Sequence, residues 1–330
     1  MSGMRPLARL VDTALDRTVV GGYTRLGYLA RKRMGWPEDP RPGALVGRVA
    51  VVTGGGGGLG KATALGLAGL GAAVVLLVRD VARAGAAAEE IRAAVTGADV
   101  RLVRCDVSDL DDVREVAADL RGHAPHVLVH NAGVLPPART ESAQHHELTL
   151  ATHVLGPLLL TESLVGAMPG GRVIMVSSGG MYTQRLPVED PEYLDGRYKG
   201  AGAYARSKRI QVALTPLLAR RWAASGVGVH AMHPGWADTP GVATSLPGFN
   251  RLMGPALRTP AQGADTVVWL AAAEPEPPTG RFWHDRRERP EYFLPLTGHD
   301  AEDLARIWAY CAEAVGIDPA TVPESSGAAD

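Results

Sequence analysis

The sequence predicts an α/β fold: a parallel sheet covered by helices on both faces, in a single domain behind an N-terminal helical extension. Two observations predict it. From Arg48 onward, short apolar runs of strand length alternate with longer segments of helical periodicity. Parallel strands need crossover connections, and helices supply them. A glycine-rich loop, Thr53 to Gly60, joins the first of these strands to the first helix. That junction is where a doubly wound sheet receives a dinucleotide, so the sheet is expected to be Rossmann-type.

The elements follow in order. Residues 1–35 read as a basic amphipathic helical region. Leu7, Leu10, Val11, Ala14 and Leu15 share one face, and Arg5, Arg9, Arg17, Arg25, Arg31, Lys32 and Arg33 supply charge. Gly21-Gly22 is expected to interrupt it. Such a region either packs on the main domain or lies in a membrane interface. Trp36-Pro37 to Pro42-Gly43 reads as a linker, so residues 1–46 form the extension and residues 47–285 the main domain. Strands are expected at Val49–Val52, Ala73–Val78, Val100–Cys105, His126–Val129, Gly171–Val176 and Gly228–Met232, with a last one at Arg281–Trp283. Helices are expected at about 61–70, 81–95, 109–121, 141–168, 203–224 and 261–273. Residues 286–330 hold an exposed Arg286–Arg289 loop and a helix over 300–315. That helix turns Leu304, Ile307, Trp308 and Cys311 inward, and a disordered tail runs from Pro319.

Composition narrows the function. A 46% hydrophobic chain can bury a sizeable core, and a net charge of −1 argues against a nucleic-acid partner. Cys105 and Cys311 give neither a disulfide framework nor zinc spacing, which fits a reducing, cytoplasmic setting. No apolar run reaches the roughly 18–20 residues that span a bilayer, and no signal-peptide core is visible. His145-His146-Glu147 reads as a solvated helix face, and no metal is expected.

The chemistry-bearing motifs sit on this frame. In the glycine loop, Thr53, Gly54, Gly58, Leu59 and Gly60 would let the backbone approach phosphates at a helix N-terminus. At the end of the second strand, Val78 stands where an acid would hold a ribose hydroxyl, and Arg79 follows. An arginine there accommodates a 2′-phosphate, so NADP(H) is favoured. Asp80 next door leaves NAD(H) open. Tyr204 and Lys208 lie at i and i+4, on one helix face. A phenol with a pKa near ~10 is a poor proton donor at neutral pH, and an adjacent ammonium lowers that pKa. Lys208 is one of only four lysines in an arginine-rich chain. Tyr28–Lys32 has the same spacing but precedes the glycine loop and reads as a surface pair.

In combination these motifs resemble the classical short-chain dehydrogenase/reductase family over about residues 47–285. Cys105-Asp106-Val107 is similar to its adenine-contacting segment, and His130-Asn131-Ala132-Gly133 to its Asn-Asn-Ala-Gly. Ser177-Ser178 resembles the catalytic-serine segment, with Ser178 at the catalytic position. Pro234, Gly235, Ala237 and Thr239 resemble the segment that holds the nicotinamide. Ser177–Met181, the run from His233 to Val242 and Pro247-Gly248-Phe249 resemble one subgroup, the dehydrogenase/reductase SDR family member 12 type. The long stretch between Ser178 and Tyr204 is similar to retinol-dehydrogenase-like members.

The resemblance implies a carbonyl–alcohol oxidoreductase. Ser178 would bind the substrate oxygen, Tyr204 would move the proton, and Lys208 would lower the Tyr204 pKa and bind the nicotinamide ribose. His153 stands where the family usually has an Asn supporting a relay water; an imidazole could take that role, or serve only in packing and hydrogen bonding. Residues about 240–260 would form an apolar lid, with Phe249, Trp236 and Met181 lining a pocket for a small lipophilic substrate. The family's frequent dimers and tetramers make a homo-oligomer an expectation. The alternative is a weakly active or inactive nucleotide-binding scaffold, attached to a membrane surface through residues 1–35.

Overall fold

The computed structural model describes residues 6–238, 253–293 and 295–321. Its strands are β1 (Val49–Thr53), β2 (Ala73–Val78), β3 (Val100–Arg104), β4 (Pro125–His130), β5 (Arg172–Val176), β6 (Gly228–Met232), β7 (Arg281–His284) and β8 (Arg287–Arg289). They form one sheet in the order β3-β2-β1-β4-β5-β6-β7-β8. All neighbours are parallel except the terminal pair of β7 and β8. The chain winds outward from β1 to β3, then returns to β4 beside β1. That reversal creates the switch point at which such sheets bind ligands.

The strands are apolar because helices cover both sheet faces. Along β1 the pleat sends alternate side chains to opposite cores. Val51 joins Leu128, Val173, Ile210 and Leu214 on one face. Ala50 and Val52 join Leu67, Ile91, Val267 and Leu270 on the other. The covering helices are α4 (Gly58–Gly69), α5 (Val81–Ala94), α6 (Leu110–Arg121), α7 (the helical run Leu148–Ala167), α8 (Gly200–Arg221), α9 (Pro260–Ala272) and α10 (Ala301–Val315), after α1–α3 of the extension. Side chains set several starts: Asp109 caps α6, while Thr259 and Asp300 form capping boxes on α9 and α10.

Several expectations are corrected. The helix expected from about 141 starts at Leu148, because Glu147 accepts from the Leu150 N–H as its N-cap. His145-His146-Glu147 is therefore no solvated helix face: Glu147 is buried, and His146 meets Glu192 at 2.8 Å. The run Leu148–Ala167 is long and apolar enough to cross a membrane, but 78% of its most apolar window is buried, so it is a core helix. It loosens into a π turn at Ala151–Leu155. Arg286–Arg289 is not an exposed loop. Asp285 and Arg286, at φ 52° and 55°, make the two-residue turn of the β7–β8 hairpin. Asp265 pairs with Arg286 at 2.7 Å, and Arg289 is buried against Asp12 at 2.9 Å. Ion pairs thus hold non-glycine residues in the left-handed region.

The extension folds as α1 (Pro6–Arg17), α2 (Val19–Tyr23) and α3 (Arg25–Arg33). The breaks fall at Thr18 and Thr24. Gly21-Gly22 lies inside α2, where a Cβ on Gly22 would sit 2.2 Å from the Leu15 carbonyl oxygen. These glycines permit close crossing of helices; they do not end one. In α1, Asp12 and Asp16 are buried, while Val11 and Ala14 face outward. Tyr28 is buried beside Trp36 and Asp265 while Lys32 is exposed, so they make no functional pair. At the other end, Ile307, Trp308 and Cys311 of α10 are buried as its periodicity requires. The tail does not loosen at Pro319, which accepts from Trp308 Nε1 at 3.0 Å and begins a 3-10 turn to Thr321.

Candidate active site

The C-terminal ends of β1, β4, β5 and β6 share one edge of the sheet, and the expected site residues leave from them. Thr53 closes β1: its hydroxyl accepts from the N–H groups of Asn131 and Ala132, both at 3.0 Å. The Asn131 amide donates back to the Thr53 carbonyl at 3.0 Å. This latch fixes the crevice between β1 and β4, with Gly133 next to the His153 ring.

The glycine loop then turns into α4. Gly54 has φ +67°, and a Cβ on Gly60 would lie 2.3 Å from the Gly54 carbonyl oxygen. Among the described residues, no side chain caps α4 at Gly57, and a Cβ at Gly57 would meet nothing within 4 Å. Open N–H groups at a helix start beside open space suit an anion, so the residues present fit the pyrophosphate of a dinucleotide. Gly58 and Leu59 form the first turn of that helix. At the end of β2, Arg79 is exposed, whereas Asp80 accepts from the Arg83 N–H at 2.9 Å as the N-cap of α5. Asp106 accepts from the Ser108 N–H and hydroxyl at 3.0 and 2.7 Å, and the Val107 side chain is buried in the core.

The catalytic candidates converge where β5 meets α8. Ser177 Oγ donates to the Lys208 carbonyl at 3.0 Å, which ties strand to helix. With Ser177 so tied, Ser178 is the serine beside Tyr204, where its hydroxyl favours the phenolate. Lys208 is buried, donates from Nζ to the Val176 carbonyl at 2.7 Å, and lies 5.6 Å from the centre of the Tyr204 ring. Burial pushes the Lys208 amine down to about 7. Burial also raises the Tyr204 phenol, opposed by the neighbouring Ser178 hydroxyl. The expected lowering of Tyr204 by Lys208 is thus not what sets its pKa in this arrangement; desolvation governs both groups.

Of the two readings of His153, its contacts are those of the packing and hydrogen-bonding one. Its Nε2 accepts from the Val134 N–H at 3.0 Å, so Nδ1 carries the proton and donates to Ser207 Oγ at 2.7 Å. Ser207 Oγ in turn donates to the Tyr204 carbonyl at 2.9 Å. Both ring nitrogens are engaged by protein groups, leaving the imidazole no site for a relay water. The ring stands edge-on to Tyr204 at 5.2 Å and braces it. Burial holds the imidazole neutral, with its pKa well below the ordinary histidine value.

After β6, Pro234, Gly235 and Ala237 lead across the same edge, with Trp236 half-buried. Thr239, Phe249 and most of the expected lid lie outside the described residues. Met181 is not a pocket residue: it is fully buried in the core, with Arg209 3.8 Å from its sulfur. Sequence reasoning missed Tyr23, Arg31, Arg258 and Asp285, which meet beside this loop. The available signal was Asp12 and Asp16, two acids one turn apart on an otherwise basic helix.

A parallel sheet with a dinucleotide cradle and a Ser-Tyr-Lys cluster at its edge defines a nucleotide-dependent oxidoreductase architecture. The family model for short chain dehydrogenases matches residues 48–247. The chain belongs to the short chain dehydrogenase family, and it is an oxidoreductase of that type. Human dehydrogenase/reductase SDR family member 12 is 40% identical over 273 residues, which cover 80% of this chain and 84% of that protein. A putative daunorubicin C-13 ketoreductase from Streptomyces sp. (strain C5) is 37% identical over 286 residues, covering 83% and 94%. Among solved structures, a putative NAD(P) dependent gluconate 5-dehydrogenase from Beutenbergia cavernae with bound NADP is 32% identical. Its TM-score is 0.57, with 70% of this chain and 92% of that chain covered.

Proposed function

We propose that this chain is an NADP(H)-dependent oxidoreductase that interconverts a carbonyl and an alcohol on a small lipophilic substrate. The observation that carries this reading is the grouping of Ser178, Tyr204 and buried Lys208 where β5 meets α8, on the sheet edge that also bears the uncapped start of α4. A bound nicotinamide supplies the hydride. Ser178 donates a hydrogen bond to the substrate oxygen, and Tyr204 gives that oxygen a proton during reduction or takes it back during oxidation. Lys208 holds the ribose and gains charge when phosphates enter the site. His153 positions Tyr204 through Ser207 and holds Val134 in the β4 loop.

Two observations support NADP(H). Arg79 is exposed at the end of β2, and Asp80, the acid that could have served NAD(H), is committed as a helix cap. The putative ketoreductase activity in the name of the Streptomyces relative supports a carbonyl substrate. NADPH oxidation across a panel of aldehydes, ketones and quinones tests the reaction, and Arg79→Ala tests the cofactor. We expect turnover by the wild type and none by Tyr204→Phe. Arg79→Ala should weaken NADPH about tenfold and leave NADH unchanged. Tight NADPH binding without turnover on any carbonyl would refute the reaction.

A further inference from the structure

The N-terminal extension ends a buried chain of charges on the active-site loops. Arg31, fully buried, contacts Asp12 at 2.8 Å and Asp285 at 2.7 Å. Asp285 also holds Arg258, at 2.6 and 2.9 Å. Both arginines donate to the Gly22 carbonyl, at 2.8 and 2.9 Å. Arg258 reaches the Pro234 carbonyl at 3.2 Å, and its own N–H donates to the Trp236 carbonyl at 2.8 Å. The Tyr23 carbonyl accepts from the Trp236 N–H at 2.8 Å. One residue of the extension, Tyr23, is thereby delivered into the space between the β5 and β6 loops.

Its ring is 2% exposed and fills that space. It lies 4.6 Å from the His233 ring and edge-on to Trp236 at 6.0 Å. It also meets the His284 ring edge-on at 5.3 Å and Gly179, the residue after Ser178. A Cβ on Gly179 would stand 2.3 Å from Tyr23 Cε2 and 2.9 Å from Cζ. The serine loop can carry only glycine there because the tyrosine occupies the volume of the missing side chain.

We propose that Tyr23 is a positioning residue of the active site. It props the serine loop at Gly179 and the 233–237 loop at His233 and Trp236, so that Ser178 and the cofactor-binding segment keep one relative placement. The inference rests on the proposed reaction only for its turnover arm. Its second arm reads the cofactor-binding loop without turnover.

The test uses full-length Tyr23→Phe, Tyr23→Ala, Gly179→Ala and the Tyr23→Ala/Gly179→Ala double variant. NADPH affinity is read by fluorescence titration, and kcat on the best carbonyl of the panel by NADPH oxidation. Tyr23→Phe keeps the ring and should stay within twofold of wild type in both. Tyr23→Ala should weaken NADPH at least fivefold and cut kcat at least tenfold. Gly179→Ala displaces only the serine loop, so kcat should fall at least tenfold with NADPH affinity within twofold. The double variant should have a kcat no lower than Gly179→Ala alone, since the ring no longer opposes the methyl. Tyr23→Ala with NADPH affinity within twofold of wild type overturns the proposal, whether or not any carbonyl is turned over. So do kcat losses that multiply in the double variant. If Tyr23→Ala fails to fold, Tyr23→Leu replaces it under the same limits. A wild type that binds NADPH but reduces nothing refutes the reaction, and the affinity arm still decides the role of Tyr23.

Discussion

Lowering the pH from about 7 to about 5 should destabilise this protein severely, because four imidazoles are buried neutral. His130 is pushed down to about 3, and His153, His233 and His284 are held well below the ordinary 6.5. Desolvation is the largest cause in each. The sign follows from the folded pKa lying below the unfolded one. Below 6.5 the unfolded chain takes up protons that the native state refuses, so stability is complete above that pH and lost as the pH falls. At about pH 5 His130 alone costs about 2 kcal/mol relative to neutral pH, and the other three imidazoles act in the same direction. Even one such cost is a sizeable part of the ~5–15 kcal/mol that holds a domain together. Asp16 and Glu291, whose carboxyls burial raises, oppose the trend, but His126, His230 and His299 are lowered as well, so the sign is unchanged. Urea unfolding midpoints at steps between these pH values measure the slope. His130→Asn removes one imidazole and should recover about 2 kcal/mol of the acid loss at about pH 5. A midpoint flat across this range, or a slope unchanged in His130→Asn, would refute the reasoning.

Three further outcomes follow from the geometry. Lys208→Met should abolish turnover yet raise the thermal midpoint at neutral pH, by up to about 5 kcal/mol of removed desolvation less about 1 for the lost hydrogen bond to Val176. Because the amine falls from 10.5 to about 7, its stability contribution is present above the unfolded value and lost as pH falls, so this gain should shrink towards alkaline pH. His153→Ala leaves the Val134 N–H and Ser207 without their partner and should cost about 3 kcal/mol in urea unfolding. His153→Asn should cost less and leave the rate–pH profile near neutrality unchanged. For the extension we propose membrane-surface contact through the outward face of α1, where Val11 is 41% exposed. Val11→Glu with Ala14→Glu should abolish co-sedimentation with anionic liposomes, and equal sedimentation would remove that reading.

The strands of the sheet were legible because buried parallel strands write themselves as uninterrupted apolar runs: Ala73–Val78 and Gly228–Met232 have the same limits in sequence and structure. Helix limits were less legible where a cap decided them, as at Glu147, since a carboxylate one residue before an apolar run looks like part of the helix. The glycine loop and the Tyr204–Lys208 pair were readable because their chemistry fixes local spacing. The Asp12–Arg31–Asp285–Arg258 network was not, because its N-terminal and C-terminal pairs are joined by a link of 254 positions, Arg31–Asp285, that only tertiary folding makes. An Asp-Arg turn between two short strands gave no glycine to mark it, so β8 read as loop. Met181 was misplaced for a similar reason: proximity to Ser178 in sequence says nothing of direction, and its side chain turns into the core.

His130 and His153 occupy two positions where the family commonly carries asparagine, and their environments explain how imidazole can replace an amide. An asparagine side chain offers a donor and an acceptor at once. A neutral imidazole does the same with its two nitrogens, whereas a protonated one offers two donors and no acceptor. At His153 the acceptor is used: Nε2 takes the Val134 N–H while Nδ1 gives its proton to Ser207. Protonation would set a second N–H against Val134 and break that contact. At His130, Thr161 Oγ1 donates to the Pro157 carbonyl, so the 2.7 Å contact requires Nε2 to donate to Thr161. Nδ1 faces no partner that would reward a second proton. Burial therefore does more than accompany these substitutions. By keeping the His153 ring neutral it preserves the Nε2 acceptor that holds Val134 in the β4 loop, and it makes acid the condition under which that contact is lost, while the donor bonds to Ser207 and Thr161 do not depend on it.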